Sequence, residues 1–181
     1  PAMSYDVEKK EQPSPLPKLF EVEKPEDFVN NQNLKPISKS DFVTFIAVGR
    51  LVGDKGINEL VAAFKKVNSE LPKTRLILLG HTESKIDPLK QETIETIYSH
   101  PNIEAVGLQY DVRPWMSVAD CAVLASYREG FPNAVIEAGA MGLPQIVTDI
   151  NGANEIIVEG ENGTIIPPRD SEALYCAMKR M

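Results

Sequence analysis

The sequence predicts a doubly wound α/β domain, a parallel sheet covered by helices on both faces. Two observations carry this. From residue 41 onward, short β-branched and aromatic runs alternate with stretches whose apolar residues recur at helical spacing. Several of the strand-like runs are apolar along their whole length, as strands buried on both faces are. In such sheets ligands bind outside the carboxyl ends of the strands. The polar and glycine-rich loops all follow strands here, so one functional rim is expected.

The elements follow in order. Phe42 to Val48 reads as a buried strand ending at Gly49. Ile57, Leu60, Val61, Phe64 and Val67 give the next segment one apolar helical face. Arg75 to Leu79 is a second strand, stopped by Gly80. Residues 88–98 read as a helix carrying Leu89, Ile94 and Ile97, and 102–106 as a short strand. A short helix at 112–118 precedes a strand at 121–125. A helix at 132–141 leads to a strand at 145–148. A short helix at 154–158, a strand at 164–166 and a helix from Ser171, its expected N-cap, complete the chain.

Residues 1–40 differ in kind. Six of the fourteen prolines fall there, among interspersed Lys and Glu. That composition predicts a linker or extended arm, with Leu16, Leu19, Phe20, Val22 and Phe28 able to pin part of it. Residues 41–181 form the expected domain. The chain does not begin with Met and stops inside a helical pattern, so a piece of something longer is expected.

Composition excludes several classes. At 181 residues the chain can bury one sizeable core. Its formal net charge of -7 disfavours nonspecific nucleic-acid or anionic-membrane binding. Cys121 and Cys176 lie in apolar contexts without metal-ligand spacing, which points to a reduced, cytoplasmic setting. With His81 and His100 the only histidines and no Asp-x-Asp pair, no metal site is predicted. Neither a signal peptide nor an apolar run of transmembrane length is visible.

Three segments suggest chemistry. Gly49-Arg50-Leu51-Val52-Gly53-Asp54-Lys55-Gly56 joins the first strand to the first helix. Its glycines, two cations and following helix N-terminus suit a diphosphate; an ordinary solvated turn is the competing reading. It is neither a Walker A loop nor G-x-G-x-x-G. Glu129-Gly130-Phe131-Pro132-Asn133 is a turn feeding a helix, with Glu137 further along. Glu137 lies between small and apolar residues, which suggests a carboxylate needing a partner such as sugar hydroxyls. Two other readings stay open: a Glu129–Arg128 surface pair with Glu137 facing solvent, and a structural carboxylate paired to Arg50 or Lys55. Asn151-Gly152 and Asn162-Gly163 read as plain turns, and Trp115 and Met116 as packing residues.

Four motifs in order carry a resemblance over about residues 42–181. They are Gly-Arg-Leu-x-x-x-Lys-Gly from Gly49, Glu-Gly-Phe-Pro-Asn-x-x-x-Glu-Ala from Glu129, Gly-x-Pro-x-x-x-Thr-Asp-x-x-Gly-x-x-Glu-Ile-Ile from Gly142, and Asn-Gly-Thr-Ile-Ile-Pro-Pro from Asn162. Together they resemble the C-terminal half of a family 4 glycosyltransferase. The Arg-Glu-Gly-Phe-Pro-Asn wording is similar to bacterial enzymes of capsule, O-antigen or other surface polysaccharides. The resemblance implies GT-B architecture, two Rossmann-like domains of which this half holds a nucleotide-diphosphate sugar. UDP-linked donors are favoured and GDP-linked ones remain open.

It further implies that Arg50, Lys55 and Gly53 hold the donor diphosphate. Glu137 would take the ribose hydroxyls. Glu129 would sit by the donor hexose, positioning it rather than attacking it. Phe131, Pro132, Asn133 and Ala134 would offer backbone contacts to the sugar, and Leu108, Gln109 and Tyr110 would lie near the base. Transfer would retain anomeric configuration without a cofactor or metal. The implied partners are the missing N-terminal domain and a glycan or lipid-linked acceptor, at the inner membrane face for the whole enzyme. This half alone would not turn over. The competing reading is a noncatalytic nucleotide-sugar-binding module.

Overall fold

The computed structural model describes residues 41–83 and 85–181. The arm expected over residues 1–40 lies outside the described residues. Six strands form one parallel sheet: β1 (Val43–Val48), β2 (Thr74–Leu79), β3 (Ile103–Gly107), β4 (Cys121–Leu124), β5 (Gln145–Thr148) and β6 (Gly163–Ile166). Their order is β3-β2-β1-β4-β5-β6. β1 therefore has β2 on one side and β4 on the other. The loops leaving β1 and β4 diverge at this reversal and open a crevice between them, the usual ligand position in such sheets.

Among the described residues, five helices cover the sheet: α1 (Ile57–Glu70), α2 (Gln91–Ser99), α3 (Arg113–Met116), α4 (Asn133–Ala140) and α5 (Ser171–Arg180). The alternation of strand side chains decides which helix meets which face. Phe45, Leu76, Leu78, Cys121 and Ile146 pack with Leu60, Phe64 and Val67 of α1, Ile97 of α2 and Leu174 and Met178 of α5. Ile46, Ile77 and Ala122 point the other way, onto Trp115 and Met116 of α3 and Ala138 of α4. Trp115 and Met116 thus pack, as expected. A third cluster joins Leu124 and Val147 to Val135, Ile150, Ala153 and Ile157.

Three local expectations are corrected. Residues 154–158 form no helix; hydrogen-bonded turns span 151–156. The Asn162 amide oxygen accepts from the Val158 amide, and the Asn162 side-chain NH2 donates to the Ile156 carbonyl. A side chain outside the segment thus takes groups that a helix would have used internally. The N-cap of α5 is Asp170, not Ser171: its carboxylate accepts from the amides of Glu172 and Ala173. Cys121 is buried, its thiol pushed up to about 12 chiefly by burial, whereas Cys176 is exposed on α5.

His100 closes α2 from inside the fold. Its ring stands edge-on to Phe64 at 5.7 Å between centroids, and its Nδ1 accepts from the Asn102 amide at 3.2 Å. Burial, reinforced by Lys65, holds it below the usual histidine range. The unfolded chain, titrating near ~6.5, then binds more protons than the folded one below that pH. This contribution is complete above about pH 6.5 and is lost as pH falls through the folded value. Denaturant titrations should show stability declining as pH falls below about 6.5, and the decline should be smaller in His100→Gln.

Candidate functional site

Three segments meet at the carboxyl ends of β1 and β4. The first is Gly49–Gly56, which turns through a short 3-10 segment, Gly53–Lys55, into α1. The second is the exit of β4 through Ser126 to Glu129. The third is the start of α4 at Pro132, Asn133 and Ala134. Between them lies a hollow of about 160 Å³ whose lining includes Arg50, Lys55, Ser126, Glu129, Asn133 and Ala134. That is smaller than the ~300–1,000 Å³ of complete small-molecule sites. It suits part of a ligand whose remainder lies outside this surface.

Charged and polar side chains of the hollow are paired with one another. Lys55 Nζ lies 2.6 Å from Glu129 Oε1, with side chains 20% and 16% exposed. The Ser126 hydroxyl donates to the same oxygen at 2.7 Å. Arg50, more exposed, pairs with Glu83 at 2.7 Å. α4 opens without a side-chain cap, so the amides of Asn133 and Ala134 begin the helix with no capping oxygen. Two cations and an uncapped helix start therefore border one concavity, an arrangement that favours an anion with several oxygens. Tyr127, next to Ser126, is held above its ordinary value first by burial and then by Glu59, so its phenol stays neutral.

Glycines fix the frame. A Cβ on Gly56 (φ 66°) would fall 2.0 Å from the Ala125 carbonyl oxygen, and one on Gly152 (φ 80°) 2.2 Å from that of Gly130. The turn after β5 thus presses on the turn after β4, and the turn into α1 on the end of β4. Asn151-Gly152 is more than plain turn chemistry. Gly130 differs: its φ is not positive, and a Cβ there would meet nothing within 4 Å. No atom of the described chain requires glycine at that position, which leaves the space above it open.

The structure unites only part of the expected set. Arg50, Lys55, Glu129, Pro132, Asn133 and Ala134 line the hollow; Gly53, Phe131, Glu137, Leu108, Gln109 and Tyr110 do not. Gly53 is buried under Asp87: its amide donates to the Asp87 carbonyl at 2.9 Å, and a Cβ would strike the Asp87 carboxylate. Glu137 is exposed, not buried among its apolar neighbours. Helical geometry explains this, since Val135 and Ala138 take the inward face of α4 and turn Ile136 and Glu137 outward. Phe131 and Tyr110 are also exposed, and the Gln109 side chain donates to the Val106 carbonyl at 3.2 Å. Arg128 reaches Asp54 at 3.4 Å rather than Glu129. Of the open readings, the internal carboxylate pair is realised by Lys55 and Glu129.

Sequence reasoning missed Ser126, Thr148, Glu83 and Asp87. The first two had a signal: hydroxyl residues ending two adjacent apolar strands. Glu83 and Asp87 had none, because their loop reaches the phosphate-type loop only through folding.

Among the described residues no group of three or more His, Cys, Asp or Glu is placed to hold a metal ion. No helix among them is long and apolar enough to cross a membrane.

Residues 43–181 match the family model of glycosyl transferases group 1. An uncharacterised glycosyltransferase of Methanocaldococcus jannaschii is 35% identical over 146 residues, 78% of this chain and 35% of that protein. The capsular polysaccharide biosynthesis glycosyltransferase CapM of Staphylococcus aureus is 34% identical over 129 residues, 70% of this chain and 33% of its own length. The pneumococcal O-GlcNAc transferase GtfA, solved with UDP and GlcNAc, superposes with a TM-score of 0.67 at 25% identity, over 81% of this chain and 31% of that one. The chain spans about a third of the length of these relatives.

The Gly152 contact yields a direct check. Gly152→Ala should lower unfolding free energy by about 1–3 kcal/mol, since the turn must move off Gly130 and leave its left-handed backbone. Urea titration measures the loss, and an unchanged midpoint would count against this contact.

Proposed function

The chain belongs to the group 1 glycosyl transferases, with the parallel α/β sheet of one GT-B half-domain, and we propose that it is the donor-binding half of a retaining hexosyltransferase. The whole enzyme moves a hexose from a nucleotide-diphosphate sugar to a glycan or lipid-linked acceptor in surface polysaccharide synthesis, at the cytoplasmic side of the membrane. One observation carries this reading: Arg50, Lys55 and the uncapped start of α4 share a single hollow at the β1–β4 reversal. The likeness to a transferase solved with UDP favours a UDP-linked sugar.

In this reading the diphosphate takes Arg50 and Lys55 away from their carboxylates. A diphosphate offers several anionic oxygens, whereas Glu83 and Glu129 each offer one carboxylate. The amides at the start of α4 add hydrogen bonds to phosphate or sugar oxygens. Once Lys55 leaves, Glu129 is free to accept from hexose hydroxyls. Exposed Glu137 can accept from the ribose, a role that burial would have prevented. Phe131, Leu108 and Tyr110, all exposed, border the path on which sugar and base extend.

As the sugar departs, negative charge grows on the diphosphate oxygen. The two cations drawn onto the diphosphate and the amide dipoles of α4 stabilise that charge, which is the largest contribution a protein usually makes to such a step. The acceptor comes from the other domain, so this chain alone binds donor without turnover. The same contacts would serve a noncatalytic nucleotide-sugar module. A full-length protein that binds donor but transfers and hydrolyses nothing would favour that second reading.

Lys55→Ala should weaken UDP binding by about 1.5–3 kcal/mol, the scale of a charged hydrogen bond, as measured by calorimetry. Glu137→Gln should reduce UDP affinity while leaving the melting temperature within a degree or two, because an exposed carboxylate contributes little to folding. Wild-type protein that binds neither UDP, GDP nor their sugars would overturn the assignment.

A further inference from the structure

The exit of β4 is immobilised residue by residue. The Ala125 carbonyl is covered by Gly56. The Ser126 carbonyl accepts from the buried Thr148 hydroxyl at 2.6 Å. The Tyr127 amide donates to the Asp54 carbonyl at 2.8 Å. Two elements, the Gly49–Gly56 segment and β5, thus hold three consecutive residues, and the middle one, Ser126, is 1% exposed with its hydroxyl aimed at Glu129.

We infer that Ser126 is a positioning residue that keeps the Glu129 carboxylate in place for the donor sugar once Lys55 has moved to the phosphates. The inference rests on the proposed donor-binding role. Its physical basis is that two donors share one acceptor: Lys55 Nζ at 2.6 Å and Ser126 Oγ at 2.7 Å both engage Glu129 Oε1, which leaves Oε2 as the remaining acceptor. The two donors differ in reach. Lys55 ends a flexible four-carbon stem beside Arg50, and a diphosphate competes for it directly. Ser126 has one short rotor on a backbone that Thr148 and its neighbours fix. When Lys55 is drawn away, the serine hydroxyl remains and Glu129 keeps its orientation. Without it, the carboxylate can follow the lysine or turn to solvent. Thr148 supports this indirectly through the Ser126 carbonyl and touches neither carboxylate nor hollow.

The test reads the sugar-dependent part of binding. UDP and a panel of UDP-hexoses (UDP-glucose, UDP-galactose and UDP-N-acetylglucosamine) are titrated into the full chain by calorimetry. The affinity ratio of the tightest UDP-hexose to UDP is recorded for wild type, Ser126→Ala, Glu129→Gln and the double variant. Ser126→Ala should lower that ratio by about tenfold, the scale of one hydrogen bond to a charged group. The double variant should be no worse than Glu129→Gln alone, because the serine acts only through the glutamate. Thr148→Val should lower the ratio by a smaller factor, and it serves as the second arm if Ser126→Ala fails to fold. An unchanged ratio in Ser126→Ala, additive effects in the double variant, or a wild type that binds UDP and the hexoses equally would overturn the inference. Failure of wild type to bind any nucleotide would instead sink the donor-binding reading itself, a separate and visible outcome.

Discussion

The contact between Lys55 and Glu129 holds the functional end of this domain together. It joins residues 74 apart in sequence and closes the crevice where the chain leaves the sheet in opposite directions from β1 and β4. Both side chains are mostly but not wholly removed from water. A fully exposed pair would be worth about 0–1 kcal/mol and would not hold two loops in register. A fully buried one would be costly to open. At intermediate burial the pair keeps the hollow formed without a ligand and, on the proposed donor-binding reading, would yield to a stronger anion. Structure and function therefore place the same demand on one lysine.

The surrounding arrangement follows from that demand. Glu129 can reach Lys55 because the end of β4 is fixed by contacts from β5 and from the turn before α1. Arg50 stands nearer the surface and is held by Glu83. Both cations that border the hollow are thus paired with a carboxylate, which reduces the repulsion of two like charges near one another.

Much of the fold was legible in the sequence. All six strands fall within a residue or two of their expected places, because continuous apolar runs flanked by glycine leave few alternatives. α1, α4 and α5 were equally readable from their apolar periodicity, whereas α2 starts at Gln91, three residues after its expected start, and leaves Leu89 ahead of it. What failed was local competition by side chains. Asn162 takes the backbone groups of residues 156 and 158, and Asp170 outbids Ser171 for the start of α5. Neither contest is visible in hydrophobic pattern.

That Arg50, Lys55 and Glu129 border one hollow was legible, because each lies in a loop leaving an apolar strand and such loops gather at one rim of a parallel sheet. Glu137 was misjudged in its surroundings: residues adjacent in sequence lie about 100° apart on a helix, so apolar neighbours in the chain do not bury it. Ser126 and Thr148 could have been found as hydroxyl residues at the ends of apolar strands, whereas Glu83 and Asp87 were beyond reach, since their importance depends on which loops fold against each other.

Two backbone-to-backbone contacts, Gly56 on Ala125 and Gly152 on Gly130, lock three successive loops side to side. Each occurs where a methyl group would not fit, so the loops cannot rearrange independently to accommodate a new ligand. Evolutionary or engineered change in what this domain accepts must then come from exchanging outward side chains such as Phe131 and Asn133 on a rigid frame. A grafted loop keeps this frame only if it brings glycine where Gly56 and Gly152 stand and a backbone that meets Ala125 and Gly130 as closely.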